Sequence, residues 1–261
     1  MKMIPNEKAY AEQCLAKTVI DRKPTRTLTI LIKYFKNMGL TNEEIYNELV
    51  DHMTDAYDGF TEDDWRDKIL DLITIYTTEE HVLLDINAIH ITESEMARIE
   101  EANNEVLERI LFVMLVYCKV KQAMRNHDSN WITEDMKEIC GEAKVARSME
   151  KQAELFRQLM QMGYFNMSRK IGSLSKELLY VDNTSPVAIT ITSFDDFILD
   201  YYIYKGKKVI NCKECGKRVV VKEKTRTQYC TECKKEKERE NRRARDKKYR
   251  ENQKKMKNDA L

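Results

Sequence analysis

Only 3 prolines and 7 glycines occur among 261 residues, so the chain has few obligatory breaks and long helices are expected. No glycine-rich phosphate loop is present, and no serine sits in a nucleophile elbow. Histidine is equally sparse. His52, His81, His90 and His127 are scattered, with no His-x3-His pair, and the neighbours Asp51-His52 and His127-Asp128 point in different directions on a helix. Acid–base or metal chemistry on histidine is therefore not expected, and no catalytic residue is assigned. The longest apolar run, Ile110 to Cys118, is too short to span a bilayer, and Met1-Lys2-Met3-Ile4-Pro5 leads into charged residues without a secretory core. A cytoplasmic protein without a membrane partner is expected.

The net charge of +1 conceals a strong polarity. From Tyr204 to Leu261 there are 22 Lys and Arg against 9 Asp and Glu, a net of +13. Residues 1–203 carry the remaining 23 basic and 35 acidic residues, a net of −12. An acidic body thus bears a basic tail.

Seven cysteines are present, and four of them, Cys212, Cys215, Cys230 and Cys233, are spaced Cys-x2-Cys-x14-Cys-x2-Cys. Two knuckles can converge on one tetrahedral ion if the intervening chain runs out and back. The stretch Gly216 to Tyr229 suits that path, with the β-branched run Val219-Val220-Val221 going out and Gln228-Tyr229 returning. The spacing is that of a zinc ribbon. Four thiolates fill every position, so one structural Zn2+ is expected. Cys14, Cys118 and Cys140 fall in helical patterns and read as small buried hydrophobes of a reducing compartment.

Apolar periodicity and capping signals place helices at residues 6–22, at Thr25 to Met38, and from the capping box Thr41-Asn42-Glu43-Glu44 onward. The second and third resemble a helix-turn-helix, a pairing equally common in helical cores. Another helix follows Asp63-Asp64-Trp65, and Val82 to Ile91 reads as a short strand. A second box, Thr92 with Glu95, opens one long helix to Met124 whose segment Ile110–Val116 is apolar on nearly all sides and reads as the central core helix. Thr133 is expected to cap a helix to Ala143, and a further helix runs from Met149 to Met162 with Ala153, Phe156, Leu159 and Met160 inward. Short strands at Tyr164–Ser168, Lys176–Val181 and Val187–Ile191 follow, then a helix capped by Ser193 with Asp195-Asp196 in its first turn.

Helix, turn, helix and β-hairpin is the order of a winged helix, whose second helix enters the major groove while the wing lies along the backbone. Arg157, Gln158 and Gln161 on the solvent face of the Met149–Met162 helix match donor and acceptor pairs on base edges. Glu150 and Glu154 on that face oppose phosphates, and a winged helix used only for packing or dimerisation is the competing reading. Arg169 and Lys170 on the wing are phosphate candidates. So are Lys217, Arg218, Lys222, Lys224 and Arg226 on the ribbon, and Arg239, Arg242, Arg243 and Arg245 in the tail. The tail lacks glycine and proline and can form a charged helix, but it has no apolar anchor and should be frayed or disordered on its own.

The stretch Ile91 to Glu240 resembles a family of uncharacterised proteins from phages and integrated mobile elements of low-GC Gram-positive bacteria. The resemblance is carried by Ile91-Thr92-Glu93-Ser94-Glu95, Leu111-Phe112-Val113-Met114-Leu115, Trp131-Ile132-Thr133, Met162-Gly163-Tyr164-Phe165, and Ile210-Asn211-Cys212-Lys213-Glu214-Cys215-Gly216. It implies a mobile-element origin, a bacterial host cell and an accessory role; it supplies no activity.

The expected fold is mainly α with small β elements: a helical body at 1–128, a winged-helix-like segment at 129–204, a zinc ribbon at 205–234 and a basic tail at 235–261. The expected function is non-enzymatic nucleic-acid binding, DNA before RNA, as a regulator or replication accessory factor. The alternative is a host-directed protein that binds a bacterial defence effector or polymerase through its acidic body. A homodimer is compatible with either.

Overall fold

The computed structural model describes residues 4–125, 127–170, 172–221 and 228–258. In chain order the elements are helices α1 (Glu7–Lys17), α2 (Pro24–Asn37), α3 (Asn42–Ala56) and α4 (Glu62–Tyr76), strand β1 (Ile89–Thr92), and helices α5 (Glu93–Glu100) and α6 (Glu105–Arg125). Strand β2 (Trp131–Ile132), helices α7 (Met136–Glu142) and α8 (Met149–Gln161), and strands β3 (Phe165–Met167), β4 (Lys176–Leu178) and β5 (Val187–Ile191) follow. Last come helix α9 (Ile198–Tyr204), strands β6 (Val209–Asn211) and β7 (Arg218–Val220), and helix α10 (Thr231–Asn258). The fold is mainly helical with small sheets, as expected.

The first four helices enclose their own core. Pro24 opens α2, where its missing N–H was unpaired anyway, and Leu28, Leu31, Ile32 and Phe35 turn inward against Ile45, Leu49, Met53, Ile69 and Ile73. The α2–α3 pair is thus packed into a four-helix cluster. Glu7 and Lys33 form a buried ion pair, and Glu7 also accepts the Leu84 amide at 2.9 Å, tying α1 to the chain that leaves the cluster. The capping box at Thr41 is formed: the Glu44 amide donates to Thr41 Oγ1, and the Glu44 carboxylate accepts from the Thr41 amide at 2.8 Å.

A second core runs from Ile89 to Tyr201, so position 128 falls inside it rather than at a boundary. The segment Ile110–Val116 of α6 is buried throughout and forms its axis. The single helix expected from Thr92 to Met124 is two helices. Asn103 takes the left-handed conformation (φ 48°), and the Asn104 side chain accepts the amides of Val106 at 2.9 Å and Leu107 at 3.3 Å. Asparagine suits both a left-handed residue and an N-cap, so Asn103-Asn104 ends one helix and starts the next.

Three strands form one sheet in the order β2-β4-β3, with Trp131 opposite Glu177 and Phe165 opposite Leu178. β5 departs from the expected hairpin cluster and pairs antiparallel with β1, Ile89 opposite Ile191 and His90 opposite Thr190. Because Trp131-Ile132 is drawn into the sheet, the next helix starts later than expected. Asp135, not Thr133, caps α7, accepting the Glu138 amide at 2.7 Å, while Thr133 Oγ1 accepts from Lys121 Nζ at 2.7 Å. α9 likewise begins at Ile198 rather than beside Ser193, because Asp196 is left-handed (φ 52°) and breaks the run.

A charged group sits deep in this second core. Glu95 is fully buried, pairs with Lys119 Nζ at 2.7 Å, and accepts the amides of Thr92 and Asp182, each at 2.8 Å. The Thr92 capping box therefore also anchors the loop that carries Asp182. Among the described residues no helix is long and apolar enough to cross a membrane.

Candidate metal centre and nucleic-acid interface

Cys212 and Cys215 lie in the turn after β6, and Cys230 and Cys233 lie at the foot of α10. Gly216 takes φ 72°, which glycine adopts at no steric cost, and its amide donates to Cys212 O at 2.8 Å to close the first knuckle. Cys212 N–H donates to Lys217 O at 2.9 Å, and the Lys213 amide donates to Gln228 O at 2.9 Å, joining the two halves. The four sulfurs lie within 4.8 Å of one another, with Cys215 and Cys230 at 3.8 Å. A tetrahedral tetrathiolate with bonds of about 2.3 Å has sulfur–sulfur edges of about 3.8 Å, so the cluster fits a single metal ion.

The surroundings shift two of these thiols in opposite directions. The Cys212 thiol is pushed down to about 6, mainly because the amides of Cys215 and Cys230 donate to it. Cys233 moves the other way, raised by its hydrogen bonds with the Cys230 and Cys215 sulfurs, as expected when several thiols share little charge. Elsewhere burial raises Cys118 to about 12 and Cys140 to about 11, and Cys14 is raised for the same reason. Those three are buried, unreactive thiols.

The cysteine-bearing segment adds one strand pair of its own. β7 lies antiparallel to β6, with Val209 opposite Val220 and Asn211 opposite Arg218. The partner of the Val219-Val220 strand precedes the first knuckle, and the Lys213 amide bonded to Gln228 O holds the return at Gln228-Tyr229 beside that knuckle. A hairpin that closes directly over Cys212 and Cys215 sets their spacing locally. The pair packs on α9.

Arg218 is displaced from its expected role. Its guanidinium forks onto Asp200 of α9, Nη2 to Oδ1 at 2.6 Å and Nη1 to Oδ2 at 3.2 Å, with both side chains largely covered. It fastens the ribbon to the body instead of facing a phosphate. Lys217 is exposed beside it. Lys222, Lys224 and Arg226 lie outside the described residues.

Of the two expected states of the tail, helical or disordered, Thr231–Asn258 takes the helical one. Cys230 Sγ accepts the Cys233 amide at 3.4 Å, in the geometry of a helix N-cap, and the Lys234 amide donates to Cys230 O at 2.9 Å. Lys237 of the second turn pairs with Glu214 at 2.6 Å and lies 4.2 Å over the Tyr229 ring. These contacts hold the first two turns against the knuckles. Arg239, Arg242, Arg243 and Arg245 are all exposed further along, the first three at i, i+3 and i+4 and hence on one face. The roles of Asp200, Glu214 and Tyr229 as anchors had no local signal in the sequence.

Arg157, Gln158 and Gln161 are exposed on α8, as are Glu150, Lys151 and Glu154. Phe156 and Leu159 turn inward as expected, but Met160 is 41 % exposed, because the sheet edge at β3 leaves its side of α8 uncovered. Arg169 and Lys170 are exposed in the connection after β3. Comparison with protein-family models, with curated proteins and with solved structures yields no match.

Proposed function

We propose that the chain is a zinc-dependent, non-enzymatic nucleic-acid-binding protein that serves a phage or mobile element as a regulator or replication accessory factor. One observation carries this reading: four convergent thiols at the root of a helix, Thr231–Asn258, that bears Arg239, Arg242, Arg243 and Arg245. Zinc is the ion best suited to four thiolates at tetrahedral spacing, and with no open position it would serve structure rather than catalysis. The charge of the tail then displaces counterions from phosphates, a contribution that needs no particular base sequence.

The order α6-β2-α7-α8-β3-β4 with sheet order β2-β4-β3 supports a winged-helix reading of the segment after residue 128. On that reading α8 offers Arg157, Gln158 and Gln161 to base edges, and Arg169 and Lys170 to the backbone. DNA is the preferred polymer because α8 matches a major groove better than the narrow groove of an RNA duplex.

The test is binding of the full chain to duplex DNA and RNA of matched length across salt concentrations. Affinity should fall by about 0.9 log units per log unit of salt for each duplex phosphate contact, and a chain ending at residue 234 should lose most of it. Salt-insensitive binding, or full affinity after the truncation, overturns the proposal.

A second reading is favoured by the exposed carboxylates of α3 and α4, among them Glu43, Glu48, Asp51, Asp55, Asp63 and Asp67. A host protein that normally grips nucleic acid would accept such a surface by charge. Capture of a host protein that survives nuclease treatment, from a chain with no polymer affinity, would select this reading instead.

A further inference from the structure

Between α8 and the β3–β4 hairpin lies a hollow of about 240 Å³, walled by Phe156, Met160, Phe165, Met167 and Leu174. Its mouth is apolar and open: Met160, Met167 and Leu174 are 41 %, 39 % and 63 % exposed. Such side chains in contact with water at the rim of a concave site are what an apolar guest displaces water from. Methionine, unbranched and polarizable, adapts to guests of different shape.

The same hollow holds two cations and one carboxylate, Arg157, Lys176 and Asp135. Lys176 is only 2 % exposed, yet its Nζ donates to two neutral carbonyls, Glu134 O at 2.9 Å and Leu174 O at 3.0 Å. The Phe156 ring lies 5.8 Å from the ammonium. Glu134 is engaged elsewhere by Lys121 at 2.8 Å, and Asp135 is spent on capping α7. Burial accordingly pulls the Lys176 ammonium below its ordinary range, only partly offset by those two carboxylates. A buried cation whose direct hydrogen bonds go only to neutral carbonyls, with its nearest carboxylates engaged elsewhere, gains from a counter-ion. Arg157 stands exposed on the same wall and makes no ion pair among the described residues.

We propose that this hollow is a binding site for a small organic anion with an apolar body, an aryl-alkyl or medium-chain carboxylate, whose hydrocarbon enters among Phe156, Met160 and Leu174 and whose carboxylate faces Arg157 and Lys176. The volume admits one aromatic ring with a short chain; an engineered cavity of about 150 Å³ already holds benzene. Because α8 and the hairpin form its walls, a bound guest would occupy the side of α8 that carries Arg157. The site itself stands whether or not α8 touches nucleic acid.

The experiment uses the full chain with labelled methionine methyls, without nucleic acid, titrated with 3-phenylpropionate and, in parallel, with 3-phenylpropan-1-ol. Saturable shifts should appear at the methyls of Met136, Met160 and Met167, with the alcohol binding several-fold more weakly. Arg157→Ala, a surface change, should weaken the acid by about tenfold, as expected for one lost charge-assisted contact, and leave the alcohol unchanged. Lys176→Met should do the same; if that variant does not fold, Arg157→Ala alone decides. The proposal is overturned if neither compound shifts those methyls. It is equally overturned if the alcohol matches the acid, or if the methyls respond to protein concentration alone, which would mean that a second copy fills the hollow.

Discussion

Arg218 of the ribbon and Asp200 of α9 meet in a two-pronged ion pair, Nη2 to Oδ1 at 2.6 Å and Nη1 to Oδ2 at 3.2 Å. The two side chains are 22 % and 15 % exposed, so water screens the pair only in part. The joint connects an otherwise thin hairpin to the principal core, and through the cysteine knuckles it orients the tail helix. In a double-mutant cycle with Arg218→Ala and Asp200→Ala, the coupling should be about 1–2 kcal/mol by urea unfolding. Metal content should be unchanged in both single variants. A coupling near zero would show that the hairpin is held by its apolar contacts alone.

Cys230 belongs to the four-thiol cluster and also accepts the Cys233 amide, so a metal held there would be linked to the tail helix. The protein should contain one zinc per chain, lost in Cys212→Ser or Cys230→Ser and retained in Cys140→Ser. Chelation should lower the far-ultraviolet helix signal, because the 28-residue α10 has too little apolar surface to hold itself. An unchanged spectrum after complete metal removal would contradict that linkage.

The buried pair Glu95–Lys119 predicts an asymmetric response to substitution. Lys119→Met leaves the fully buried Glu95 without its counter-charge and should cost about 3–5 kcal/mol. Glu95→Gln keeps an acceptor for only one of the Thr92 and Asp182 amides, which bind separate carboxylate oxygens, but Lys119 retains Asp182 O and Asn183 Oδ1, so the cost should be smaller. Equal costs in chemical denaturation would mean that the hydrogen bonds, not the charge, set the penalty.

His52 gives a pH dependence with a definite sign. It is buried against Val19, whose carbonyl accepts from Nε2–H at 3.2 Å, and burial lowers its pKa below the ordinary 6.5. The folded state thus prefers the neutral ring, and the unfolded chain binds the proton more readily. The contribution of His52 is complete above pH 6.5 and is lost as the pH falls from there through the lower folded value. Comparing unfolding of the native chain with His52→Gln between neutral and mildly acidic pH should show a steeper loss of stability in the former, and equal slopes would contradict the assignment.

Arg239, Arg242, Arg243 and Arg245 replaced together by alanine should reduce the salt slope of duplex binding by about 3–4, near 0.9 for each phosphate contact. Arg218→Ala should scarcely change that slope, since its charge is already neutralised by Asp200. Equal effects from the two sets would place Arg218 on the polymer after all.

Local chemistry was enough to foresee several features. The boxes at Thr41–Glu44 and Thr92–Glu95 form as expected, because a threonine and a glutamate three residues apart satisfy each other without help from the rest of the chain. The convergence of Cys212, Cys215, Cys230 and Cys233 is likewise written into two short knuckles. The segment Ile110–Val116 is the core axis because a helix apolar on all sides has nowhere else to go.

Other features depended on residues far apart in the chain. Strand β5 could pair with the hairpin or with β1, and its alternation of side chains fits both; burial of Ile89 and Ile91 against Ile189 and Ile191 selects β1. Arg218 carries the same charge on phosphate or on Asp200, and only the docking of α9 beside the ribbon brings the carboxylate within reach. The hollow beside Lys176 belongs to no single segment, since α7, α8, β3 and β4 each supply a wall. Amino-acid order therefore wrote the short-range pairs, whose partners are delivered by a turn or two of backbone. Chain folding alone chose among long-range partners of equal chemistry, because that choice turns on which surfaces are buried together.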